Sequence, residues 1–160
     1  MRFQRFLIAG LVLLLDQATK AIVVARFAPD TVVPVIPGLF RLVRVENTGM
    51  AFGLLNDSPS PLVFVLLTLV SAVILGFVAY LLWSNQTPSA LGGFGLALIL
   101  GGAAGNVVDR LARGKVIDFL DFYLGQHHWP AFNVADSAIV VGAGLLVIDL
   151  LRGRTSNPSR

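Results

Sequence analysis

The side chains able to do chemistry in this sequence form a short inventory. None of the 160 residues is Cys, which removes thiol nucleophiles, disulfides and Cys-bound zinc or iron–sulfur centres. The two His, His127 and His128, are adjacent. No Gly-x-Ser-x-Gly turn accompanies them to suggest a serine nucleophile, and they do not form a His-Glu-x-x-His zinc motif. A Ser–Lys dyad would have only Lys20 and Lys115 as base. Carboxylates remain, and among the nine acidic residues Asp118 and Asp136 are the best placed. Asp118 lies in the apolar run Val116-Ile117-Asp118-Phe119, where desolvation raises a carboxyl pKa. Asp136 lies just after Asn133, a good N-cap candidate, and so falls at the third position of a helix. The helix macrodipole favours a negative charge there. Two such carboxyls in contact can share one proton, because like charges in close contact cannot both ionise. One then activates a water while the other protonates or hydrogen-bonds a scissile carbonyl. By this reasoning Asp121 serves as well as Asp118, and the plainer alternative is two carboxylates marking helix boundaries.

The other charged residues are read against the same question. Asp16 sits well inside an apolar stretch, where a carboxylate costs roughly 2.5–3.5 kcal/mol to insert into a membrane. Lys20, four residues on, shares its helix face and can neutralise it. The pair serves either to hold helices together or to support a polar site. Asp109 and Arg110 follow Asn106 at the end of another apolar stretch, as an interfacial cluster or, for Arg110, as a planar fork that orients a carboxylate or carbonyl. Asp30, Asp57 and Asp149 read as solvated or interfacial punctuation, and Glu46 as a surface residue beside a loop of interest.

The elements that must carry these residues follow from composition. The chain is 56% hydrophobic and only 13% charged, where soluble domains carry roughly 25% charge. Mean hydropathy is +0.80. Four apolar stretches stand out, at about 6–27, 61–83, 90–108 and 134–151. Each is long enough to cross or nearly cross a hydrocarbon core of roughly 30 Å, and lipid forces them to be helices. The alternative that Arg2, Arg5 and the run from Phe6 to Leu15 form a cleavable signal peptide is weakened by apolar residues resuming at 21–25, with no small-x-small cleavage site after Leu15. The expected fold is therefore an all-α membrane protein, one unit over 1–160, with four transmembrane helices. Residues 39–45, with Arg41 and Arg44 among β-formers, predict a short strand or hairpin on the membrane surface. Gly101 and Gly105, at GxxxG spacing, and Gly142-Ala143-Gly144 predict close helix packing.

Net charge is only +3 and the basic residues are scattered, so no nucleic-acid footprint is expected. Basic residues are nearly balanced between the two sides. Arg2 and Arg5 before the first helix favour both termini inside. Asp118 and Asp136 would then share the outer side, since one loop joins the third helix to the fourth.

At these residues the sequence resembles the lipoprotein signal peptidase, or signal peptidase II, family over essentially its whole length. The resemblance rests on LDQATK at 15–20, ENTGMAFG at 46–53, GGAAGNVVDR at 101–110, VIDF at 116–119 and FNVADSAI at 132–139. It implies an intramembrane aspartyl endopeptidase of the bacterial cytoplasmic (inner) membrane. Such an enzyme removes signal peptides from prolipoproteins, cutting before a Cys that carries diacylglycerol. It further implies Asp118 and Asp136 as the catalytic pair. Asp16, Lys20, Asn47, Gly49, Asn106, Asp109, Arg110 and Asn133 are expected as binding or supporting residues. A β element at the outer membrane surface, near Asn47, is expected to help cover the site. No metal or organic cofactor is expected, and the protein is expected to act as a monomer among membrane lipids.

Overall fold

A computed structural model describes residues 2–48, 61–84 and 89–155. Gly49, Asp57 and the rest of segment 49–60 lie outside the described residues. Helix α1 spans Arg2–Arg26 and leads into strands β1 (Val32–Ile36) and β2 (Phe40–Asn47). Helices α2 (Pro61–Trp83) and α3 (Ala90–Arg113) follow, then β3 (Val116–Leu124), β4 (His127–His128) and α4 (Val134–Thr155). All four helices are long and apolar enough to cross a membrane. The end of α1 near residue 26, the end of α3 near residue 113 and the start of α4 near residue 134 adjoin the sheet.

The β element exceeds the hairpin expected from residues 39–45. It runs in the order β1-β2-β3-β4, all antiparallel. Segment 109–133, read from sequence only as a long connection with carboxylates, supplies the last turn of α3 and two of the strands. Local turn chemistry explains the sheet. Pro37-Gly38 forms a turn with Gly38 at φ 82°, closed by Leu39 N–H donating to Ile36 O (3.0 Å). Gly125, at φ 60°, turns β3 into β4. Gly114, at φ 70°, ends α3 with its N–H on Arg110 O.

Two features join sheet to helices. Val23, Ile117 and Phe119 form a buried apolar cluster flanked by Phe27, Leu42 and Val134. The Arg44 guanidinium donates to Val24 O (3.3 Å) and Phe27 O (2.7 Å), satisfying carbonyls at the end of α1. The β2–β3 register shifts between Leu42 and Val45, so a bulge lies beside Arg44.

Helix α3 is central and packs on the other three helices. Its glycines make that possible. A Cβ on Gly101 would lie 2.5 Å from Ala9 O on α1, and one on Gly102 would lie 2.4 Å from Ala135 O on α4. Gly95 and Gly142 approach each other in the same way. In lipid, such close backbone packing replaces the missing hydrophobic drive between helices.

Gly102→Ala is therefore expected to destabilise the protein by about 1–3 kcal/mol, because neither backbone can yield without moving a helix. Gly76→Ala, with open space at its Cβ, should leave stability unchanged. Thermal unfolding in detergent compares the two, and equal midpoints would contradict this account of the α3–α4 contact.

Candidate active site

The site lies where the sheet meets the helix ends. Asp118 is on β3, with its residue only 3% exposed. Asn47, across the β2–β3 ladder, is on the same face as Asp118, because its pairing partner Val116 is two residues away. Its amide donates to Asp118 Oδ2 (3.0 Å), and the Asn133 amide donates to Asp118 Oδ1 (2.7 Å). Asp121, three residues along the strand, projects from the opposite face. It pairs with Arg41 (2.6 Å), directly across the ladder, and with His128 (3.3 Å). The strand thus separates the two carboxylates that the sequence left interchangeable.

Asp136 sits at the third position of α4. Asn133 and Asp136 cap the helix reciprocally. Asp136 N–H donates to Asn133 Oδ1 (3.0 Å), and Asn133 N–H donates to Asp136 Oδ2 (3.2 Å). Asn106 Nδ2 donates to Asp136 Oδ1 (2.8 Å). Asn133 therefore contacts both carboxylates at once, with its side-chain amide on Asp118 and its backbone on Asp136. Burial, followed by the negative charge of Asp136, pushes the Asp118 carboxyl up to about 7. The two asparagine amides oppose that rise.

Behind the pair lies a buried ionic cluster. Lys20 Nζ contacts Asp16 Oδ2 (2.9 Å), Asp109 Oδ2 (2.8 Å) and Asn106 Oδ1 (3.0 Å), and the three charged side chains are fully buried. Arg113 pairs with Asp109 from the cluster's more exposed side. Gln17 and Arg113 also join this cluster. Neither is singled out by the sequence reading, although Arg113 has the same i,i+4 spacing from Asp109 that links Asp16 and Lys20. Gln17 contacts Asp16, Gly105 O, Asp109 and Arg113 (3.1–3.2 Å). Arg110 lines the same cavity as Asp118 and Asp136, and its charge acts on both.

The cavity has a volume of about 570 Å³. Its polar end holds Asn47, Asn106, Arg110, Asp118 and Asp136 under the 129–132 segment. Ser71 and Ser137 also line the cavity, and much of the rest of its wall is apolar, with Ile74 of α2, Ile99 and Ala103 of α3, and Ile139 and Val140 of α4. Two other acidic residues differ in outcome. Glu46 is held below the ordinary carboxylate range by Lys115 and Arg44, as suits a surface ion-pair network. Asp149, expected to be solvated, is buried at the opposite end of the bundle. There Ser89, the N-cap of α3, donates to it.

These observations define a class: a multi-pass membrane protein with a buried polar site at one end of a four-helix bundle, opening into an apolar cavity. A family model described as signal peptidase (SPase) II matches residues 8–152. The lipoprotein signal peptidase of Solibacter usitatus is 48% identical over 152 residues, covering 95% of this chain and 93% of that protein. That of Cupriavidus taiwanensis is 50% identical over 144 residues, covering 90% and 80%. A bacterial membrane enzyme solved by the in meso method at 2.3 Å resolution has a TM-score of 0.85 at 28% identity, covering 98% of this chain and 93% of its own. The chain belongs to the signal peptidase II family.

The raised Asp118 carboxyl has a consequence for stability. The folded protein holds this proton up to about pH 7, whereas an unfolded Asp loses it near 3.9. Between those values the unfolded chain binds fewer protons, so this group's contribution to stability falls as pH rises. Asp118→Asn removes that dependence. Its unfolding midpoint, relative to the parent, should shift in the variant's favour between pH 4 and pH 8. A gap that does not change with pH would mean that Asp118 titrates as an ordinary carboxyl.

Proposed function

We propose that this protein removes signal peptides from bacterial prolipoproteins as an intramembrane aspartyl endopeptidase, cleaving before a diacylglyceryl-modified Cys, with Asp118 and Asp136 as its acid–base pair. Family membership supports the substrate class. The observation that carries the mechanism is Asn133, which contacts both carboxylates where a polar pocket meets an apolar cavity.

The chemistry follows from the two environments. Asp136 accepts two hydrogen bonds, from Asn106 Nδ2 and Asn133 N–H, at a helix N-terminus, an arrangement that suits a carboxylate. It takes a proton from the attacking water. Asp118, which keeps its proton up to about pH 7, gives that proton to the scissile carbonyl oxygen as the water oxygen bonds to carbon. The tetrahedral intermediate then collapses. The C–N bond breaks, the proton held by Asp136 passes to the leaving amine, and the diol proton returns to Asp118. The two carboxyls titrate as a coupled unit. The apolar cavity receives the lipid chains or signal segment laterally from the bilayer, and the Asn side chains bind the extended backbone without adding charge.

On this reading all 160 residues form one peptidase unit in the cytoplasmic (inner) membrane. It acts as a monomer, with both termini in the cytoplasm and the site near the outer face. The sheet, with Asn47 and the segment that includes Gly49, helps to cover the site. The reaction uses no metal or organic cofactor.

The test is cleavage by purified protein of a diacylglyceryl-Cys peptide beside its unlipidated twin. Only the lipidated peptide should be cut. Asp118→Asn and Asp136→Asn, if folded, should each lower kcat by about 10²–10⁴-fold. Asp121→Asn and Asp30→Asn should stay near the parent rate. Near-normal cleavage by either dyad variant would remove the mechanism, and equal cleavage of both peptides would remove the lipid requirement.

A further inference from the structure

Each contact of the Lys20 ammonium leads on to one of the two carboxylates. Asp16 uses its other oxygen, Oδ1, to accept Ala135 N–H (3.0 Å), and Ala135 immediately precedes Asp136. Asp109 Oδ2, the oxygen that Lys20 contacts, also accepts Ile117 N–H (3.3 Å), and Ile117 immediately precedes Asp118. The third acceptor, Asn106, holds Asp136 directly. Its amide can face only one way. Asn106 Oδ1 meets two donors, Lys20 Nζ (3.0 Å) and Asn133 Nδ2 (3.3 Å), so Nδ2 must point to Asp136.

The geometry points to Lys20 as the positioning residue that sets the separation of Asp118 and Asp136, through Asp109 to β3, through Asp16 to α4 and through Asn106 to the Asp136 carboxylate. This rests on the reading of Asp118 and Asp136 as the acid–base pair. A bundle that needed only charge compensation could place an Asp–Lys pair anywhere along α1. Here the ammonium joins α1 and α3 at the level where both acid-bearing segments begin, and the two carboxylates beside it hold backbone N–H groups next to the dyad. Lys20 Nζ is bonded to Asp16, Asp109 and Asn106, and its charge also acts on Asp118 through space, so its positioning role is read from kcat together with the pH profile.

Lys20→Met alone would leave Asp16 and Asp109 buried without their shared cation, a state expected to impair folding. Two variants avoid this. Asp16→Asn/Lys20→Met/Asp109→Asn keeps carbonyl oxygens for Ala135 and Ile117 but removes the common donor and the buried charges. Asp109→Leu alone keeps the Asp16–Lys20 pair but removes the one oxygen that serves both Lys20 and Ile117. Arg110, whose charge acts on both Asp118 and Asp136, stays in both variants, as does Arg113, which loses its Asp109 partner. Each variant, folded in detergent, should cleave the lipidated peptide with KM within about threefold of the parent. Its kcat should fall by about ten- to a hundred-fold, the usual scale of a small misplacement. Carboxyls that move apart titrate more independently, so the two limbs of the kcat–pH profile should also approach each other.

A folded variant with the parent's kcat and pH profile would overturn the inference. So would failure of both variants to fold, which would assign the cluster to stability alone. Activity retained by Asp118→Asn or Asp136→Asn would instead sink the acid–base reading, whatever the Lys20 variants do.

Discussion

A fully buried lysine ammonium that contacts two carboxylates at once is the constraint from which the site follows. At the end of a lipid-embedded bundle an isolated charge is expensive, and each partner must be satisfied in turn. Lys20 and Asp16 come from α1, and Asp109 and Asn106 from α3, so these helices can meet in only one register there. The carboxylates then spend their remaining acceptor capacity on N–H groups of β3 and α4. Four segments distant in sequence are thereby fixed to one another within a few ångströms. Arg113, from the more exposed side, adds a second positive charge to the two negative ones.

That arrangement needs backbones closer than ordinary side chains allow. Gly105 shows why glycine is required: a Cβ there would lie 2.4 Å from Asp16 Oδ2. The helix that carries Asn106 and Asp109 is thus stripped of side chains where it faces the cluster and the start of α4. The sheet is secured differently. Arg44 takes up carbonyls at the end of α1, and Val23, Ile117 and Phe119 pack beneath it. Apolar burial and helix-end satisfaction place β3, and the buried ions then set the position of Asp118 along it.

Much of this was legible in the sequence because it is local. Asp16 and Lys20 are four apart on one helix face. Asn133 precedes an apolar helix as a cap, and Gly101 and Gly105 have the spacing of close packing. Five ordered motifs carried the family resemblance. What stayed hidden depends on contacts between distant segments. Asp118 and Asp121 are alike until a strand sends them to opposite faces, and nothing in an apolar run interrupted by carboxylates marks it as β3. The burial of Asp149 depends on Ser89, sixty residues away, meeting it at the start of α3. Lys20's second carboxylate, Asp109, lies 89 positions along the chain, and no helical spacing records it.

The two carboxylates are also made unequal by these surroundings. Each accepts two hydrogen bonds, but from different kinds of neighbour. Asp136 receives a backbone N–H and the amide of Asn106, whose oxygen is held by Lys20, at the start of a helix. Asp118 receives two side-chain amides, on a strand whose burial opposes ionisation. An acid–base pair needs such a difference, since groups in identical surroundings would compete for the same proton without a preferred holder. Asn133 reaches into both environments and holds the pair together while their settings stay distinct. The cavity is lined by polar side chains around this pair and elsewhere largely by apolar ones, with Ser71 and Ser137 among them. If Asp118 and Asp136 act as proposed, a site built this way brings water and a lipid-bearing peptide together at one point.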